Sequence, residues 1–147
     1  MMSHTTSFSS ADFPAVPPEL DVGLPDRLNH KDVLRTHAQA FSTERCHPVA
    51  VVDLPSRAIS MTIGALAPSQ ATRMHRHNYE TLIYVTKGSG ESVVGSRTVK
   101  WQAGDAIYVP VWSWHQHINT GNEDVVYVAC ENAPMLQNLG VALRQEK

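Results

Sequence analysis

Cysteine, aromatic residues and charge of either sign are all scarce in this chain: two cysteines in 147 residues, 7% aromatics and a formal net charge of -2. Cys46 and Cys130 are too few and too far apart to staple a small secreted scaffold, and they read as reduced, structural thiols. With 12 Lys and Arg against 14 Asp and Glu, and a pI of about 6.4, there is no basic footprint for nucleic acid or an anionic membrane. No apolar run reaches the roughly 18 residues that a membrane-spanning helix needs, and the opening Met-Met-Ser-His-Thr-Thr-Ser has no charged and then apolar leader. A cytoplasmic address is the expectation, for a single globular domain whose 42% hydrophobic content supports a real core.

Alternation of strands with long helices is missing as well. In its place, about eight short strand patterns recur at a spacing of about 8 to 12 residues, separated by glycine turns such as Lys87-Gly-Ser-Gly90 and Gly95-Ser96. They follow an edge strand between prolines at residues 48–55 and are 57–64, 72–77, 81–85, 91–94, 98–101, 106–109, 113–118 and 125–130. The pattern predicts an all-β, double-sheet jelly roll, also described as a double-stranded β-helix. It is preceded by an N-terminal arm and a short helix capped by Asn29 and running to Phe41. The expected division is residues 1–45 for arm and helix, 46–132 for the barrel and 133–147 for a C-terminal tail. Phe8, Phe13, Val16 and Leu20 give the arm enough apolar surface to pack across a partner subunit.

Histidines carry the chemistry. His75 and His77 are one residue apart in a strand pattern, so period-two alternation puts both imidazoles on one face. His115 and His117 repeat the arrangement in a later strand. A cation needs at least a third ligand beyond such a pair. His117 shares the inward face about 6 to 7 Å beyond His115 along its strand, too far to ligate comfortably if His115 does but placed to give or take a proton beside a bound substrate.

The spacing in which these histidines sit resembles the two motifs of the cupin superfamily. Gly104, Pro110, His115 and Asn119 fit G-x5-P-x-G-x2-H-x3-N, with Trp112 at the second glycine. His75, His77 and Gly88 fit G-x5-H-x-H-x3-E-x6-G, with Ser69 at the first glycine and Thr81 at the glutamate. The resemblance covers roughly residues 59 to 130. The missing glutamate together with the Trp-His-x-His-x-Asn run is similar to the gentisate and salicylate 1,2-dioxygenases, three-histidine iron cupins.

This resemblance implies Fe(II) held by three neutral imidazoles, those of His75, His77 and His115, with zinc, manganese or nickel as alternatives, since imidazole accepts them all. Such a cation keeps its full charge and open positions for a bidentate anionic substrate, dioxygen or both. A dioxygenase acting on a small chelating aromatic acid, phenol or 1,3-dicarbonyl follows, with His117 as the catalytic proton carrier. Thr81, Trp112 and Asn119 are expected in the substrate pocket, and a homodimer is the expected assembly. A non-redox isomerase or lyase, or a small-ligand-binding cupin without catalysis, are the alternatives. Glu80 reaches the metal only if a bulge turns it inward.

Overall fold

The structure, a computed structural model, describes residues 23–35 and 39–147. Among them are ten strands: β1 (Val49–Val52), β2 (Ser60–Leu66), β3 (His75–His77), β4 (Thr81–Lys87), β5 (Ser89–Val94), β6 (Arg97–Gln102), β7 (Ala106–Val109), β8 (His115–Ile118), β9 (Val125–Glu131) and β10 (Arg144–Glu146). Two helices, α1 (Gln39–Arg45) and α2 (Ala133–Asn138), flank them. The strands form two five-stranded sheets in the orders β1-β2-β9-β4-β7 and β10-β3-β8-β5-β6, with every pairing antiparallel. The expected jelly-roll sandwich is present, with β1 on a sheet edge.

Alternation decides what each strand gives to the interior. Along β4 the side chains of Thr81, Ile83 and Val85 are buried and those of Leu82, Tyr84 and Thr86 are exposed. Along β9, Val125 and Ala129 face inward on the same period. Leu66, Ile83, Val85, Trp101, Ile107, Val109, Val125 and Ala129 form the apolar core, with Tyr127 packed against it. Gly95 closes the β5–β6 hairpin at φ 58, a left-handed conformation that a residue with a Cβ adopts only at a cost.

One expectation needs correction. No helix runs from Asn29 to Phe41, because Asp32 takes φ 53 and breaks the right-handed path. A short 3-10 turn at Val33–Arg35 and then α1 stand there instead, and His37 lies outside the described residues. The C-terminal tail joins a sheet: after α2 it returns as β10 and pairs with β3 in the register Arg144 to His77 and Glu146 to His75. Trp114, which alternates away from His115, is half-buried on the outer face, where the Arg76 guanidinium lies 4.6 Å and the Lys147 ammonium 4.7 Å from its ring centroid. Much of the expected arm, including Phe8, Phe13, Val16 and Leu20, lies outside the described residues.

Cys46 and Cys130 are both free thiols, in accord with the reading of the sequence. Among the described residues no helix is long and apolar enough to cross a membrane.

Candidate metal centre

His75 and His77 leave β3 on its inward face, and His115 on β8 is the direct cross-strand partner of His75. Their ligand atoms all lie within 4.8 Å of one another, and the rings of His75 and His115 approach to 4.1 Å between centroids. His77 and His115 are each 1% exposed. Tyr79 stacks flat on His77 at 3.9 Å and fixes its plane.

The orientation of each ring is set by a main-chain carbonyl. His75 Nδ1 lies 2.7 Å from Arg73 O, His77 Nδ1 2.7 Å from Tyr79 O and His115 Nδ1 2.9 Å from Ser113 O. A carbonyl oxygen can only accept, so each Nδ1 carries the proton and donates it, and each Nε2 of a neutral ring is a bare lone pair. The rings are neutral: burial, then the neighbouring His115 charge, pushes His75 down to about 2. Burial likewise pushes His77 down to about 4, and lowers His115. Three deprotonated nitrogens converge, and a divalent cation of imidazole-binding type fits that donor set.

His117 differs in its partner. Trp101 Nε1 donates to Ser92 Oγ at 2.8 Å, and Ser92 Oγ lies 2.7 Å from His117 Nδ1. Ser92 is fully buried, so its hydroxyl proton is satisfied only if it goes to His117 Nδ1. His117 therefore carries its own proton on Nε2, while burial drives its pKa down to about 3 and keeps it neutral. It lines the same cavity as the triad and is a hydrogen-bond donor there, unsuited to ligate through Nε2 in this tautomer.

Of the expected pocket residues, Thr81 lines the cavity and the other two do not. Trp112 takes φ 61 in the loop before β8, which carries its ring outward to lie under Arg76 at 4.5 Å. Asn119 is buried, but its amide donates to Leu66 O and Glu123 O, each at 2.8 Å, and its oxygen accepts from Gly121 N. It pins the loop after β8. Glu80 is exposed and accepts from Tyr108 Oη at 3.0 Å, away from the three rings.

The cavity, of ≈ 70 Å³, is completed by residues that the sequence reading passed over: Arg45, His47, Tyr127, Glu131, Arg144 and Glu146. Arg45 ends α1 and lies over the Phe41 ring at 4.6 Å, and its buried Nε has no hydrogen-bond partner among the described residues. His47 Nδ1 donates to Arg45 O, and Tyr127 Oη donates to His47 Nε2 at 2.8 Å. Arg144 is held by Glu146 at 2.8 Å. Thr81 donates to Glu131 Oε1 at 3.0 Å, and burial raises the Glu131 pKa against the pull of that bond and of Arg45 and Arg144. Glu131 was within reach of sequence reasoning, since period two from Val125 puts residue 131 inward. Arg45 and Arg144 had no such signal, because they come from a helix end and a tail strand.

A two-sheet jelly roll with three converging imidazoles inside has the donor set of a metal centre. The Cupin domain family model matches residues 62–130, and the chain resembles gentisate and salicylate 1,2-dioxygenases. It is 34% identical over 80 residues to a 5-aminosalicylate 1,2-dioxygenase of Comamonas sp, a match covering 54% of this chain and 21% of that protein. It is 33% identical over 73 residues to gentisate 1,2 dioxygenase 1 of Aquipseudomonas alcaligenes, covering 48% and 21%. A salicylate 1,2-dioxygenase from Pseudoaminobacter salicylatoxidans, in adducts with gentisate, superposes with a TM-score of 0.65 at 22% identity, over 71% of this chain and 31% of that one. The chain thus spans about a fifth of the length of the curated relatives it matches.

Proposed function

We propose that this chain is an iron(II)-dependent dioxygenase that oxidises a small chelating substrate, an aromatic acid or phenol or a 1,3-dicarbonyl. The observation that carries the reading is the shared tautomer of His75, His77 and His115: three Nδ1 protons spent on carbonyls and three bare Nε2 atoms facing one another. The 1,2-dioxygenase activity named for the relatives supports the reaction class.

Iron(II) held there would supply redox chemistry with dioxygen and a charge on which two substrate oxygens can converge. The remaining steps belong to the chain. Arg45 and Arg144 face the cavity as cations and attract an anionic group, which favours an aromatic acid within the proposed class. His117, with its Nε2 proton, donates to a substrate oxygen that gains charge and holds it in place. Phe41, Val49, Ile83 and Ala129 supply the apolar walls that exclude water. The same reading takes residues 46–132 as the cupin unit and the chain as a homodimer. Exposed Leu82, Tyr84 and Tyr108 on the outer face of the β1-β2-β9-β4-β7 sheet support the latter.

The test is metal analysis of protein purified from its own host, followed by oxygen uptake with iron(II) and a panel of hydroxybenzoates, diketones and thiols. Uptake with a hydroxybenzoate is expected, and His115→Ala should remove metal and turnover together. Substrate proton exchange without oxygen uptake would instead favour an isomerase or lyase. Tight binding without turnover would favour a binding protein.

A further inference from the structure

Thr81 stands at the position where the spacing of the first motif calls for a glutamate, yet the site is not without a carboxylate. Thr81 on β4 and Glu131 on β9 are direct cross-strand partners, both inward, and Thr81 Oγ1 donates to Glu131 Oε1 at 3.0 Å. Both line the ≈ 70 Å³ cavity that also holds the three imidazoles. The carboxylate nevertheless stays outside the cluster of convergent ligand atoms, which consists of His75, His77 and His115 alone. A hydroxyl at residue 81 therefore does not simply leave a gap. It occupies a hydrogen-bonding site of a carboxylate on the neighbouring strand.

We propose that Thr81 is a latch that holds the Glu131 carboxylate off the metal, and that Glu131 is a reserve fourth ligand whose release would close the position left open for an exogenous ligand. The physical ground is the fate of a buried anion. Glu131 is largely enclosed, and Thr81 is its side-chain hydrogen-bond donor among the described residues. Remove that donor and the buried carboxylate loses a hydrogen bond that held it, beside the 2+ charge of a bound metal that attracts it. Arg45 and Arg144 lie on the same cavity and compete for it, so the latch has a measurable strength. Thr81 is on this account a positioning residue that acts through Glu131 on the number of open coordination sites.

The inference rests on the triad holding a cation, and its test separates the two claims. Purified protein is loaded with Co(II), and metal affinity, the visible spectrum and the binding of added azide are measured without any turnover. Wild type should bind one Co(II) and take up azide. Thr81→Val should bind Co(II) about tenfold more tightly, change the spectrum toward higher coordination, and bind azide at least about tenfold more weakly, the scale at which groups around metal ligands act. Thr81→Ser keeps the hydroxyl and should behave as wild type. Thr81→Val with Glu131→Gln should return affinity, spectrum and azide binding to wild-type values, since an amide is a poor ligand. A Thr81→Val protein that binds metal and azide as wild type does would overturn the latch, as would a change that persists in the double variant. Wild-type protein that binds no Co(II) would sink the reading of the triad, and this inference with it.

Discussion

Followed along β4 and β9, the interior of one sandwich changes character within a few residues. At one end Leu66, Val85 and Val125 are packed with almost no exposure. At the other end the same strands present Thr81 and Glu131 to a cavity walled by five histidines and three arginines. The first end is the one that area arguments reward, at about 25 cal/mol per Å² of apolar surface. The second buries imidazoles whose charged forms it cannot solvate, and it leaves Arg45 Nε unpartnered among the described residues. The apolar end makes the sandwich, and the polar end is carried by it for the sake of the centre.

The sharpest way to break the comparison is acid. His75, His77 and His117 have pKa values held down to about 2, 4 and 3 in the folded protein, burial being the first cause in each. In the unfolded chain each titrates near 6.5. Above that pH neither state binds the proton and the rings make no pH-dependent contribution. As pH falls below it, the unfolded state takes up protons that the folded state refuses, so stability is lost at up to about 1.4 kcal/mol per pH unit for each ring. Chelator-treated protein should show a urea midpoint that is flat from pH 8 to 7 and falls steeply toward pH 5. A flat midpoint down to pH 5 would mean that the rings take up protons in the fold as readily as in the unfolded chain.

The converse is a change confined to the apolar end. Leu66 is fully buried within the core cluster, and Leu66→Ala should cost about 2–5 kcal/mol while leaving the stoichiometry of metal binding intact. Denaturant melts and metal titration on the same sample check it. A loss of metal would show that the two ends are coupled through β2 and β4 and are not separable.

The sequence was readable in proportion to how local the information was. Strand positions, the inward face of β3 and β8, and the three converging histidines all follow from period two and fixed spacing, which a reader of residues can count. Glu131 obeys the same period but lies one residue past the segment read as the last strand. Arg45 and Arg144 reach the cavity from α1 and from β10, whose pairing with β3 brings together positions 69 residues apart in the chain. No local rule reports that contact. Trp112 failed for the opposite reason: its neighbours in sequence place it at the mouth, and a left-handed backbone aims it at Arg76 on the outside.

That backbone is itself a trace of the two motifs, and it gives the finest test. Ser69 and Trp112 fill the motifs' glycine positions, and both retain a positive φ, 66 and 61. The fold has kept a glycine conformation with residues that carry a Cβ, at a cost of roughly 1 kcal/mol each. Ser69 offers the cleaner substitution, because Trp112 also carries the Arg76 stack. Ser69→Gly should relieve the strain while widening the freedom of the unfolded chain, so the net gain should be below about 1 kcal/mol. A thermal midpoint higher by a few degrees at most, with metal affinity unchanged, is the expected outcome. A lower midpoint would show that Ser69 stabilises its turn by more than its backbone costs.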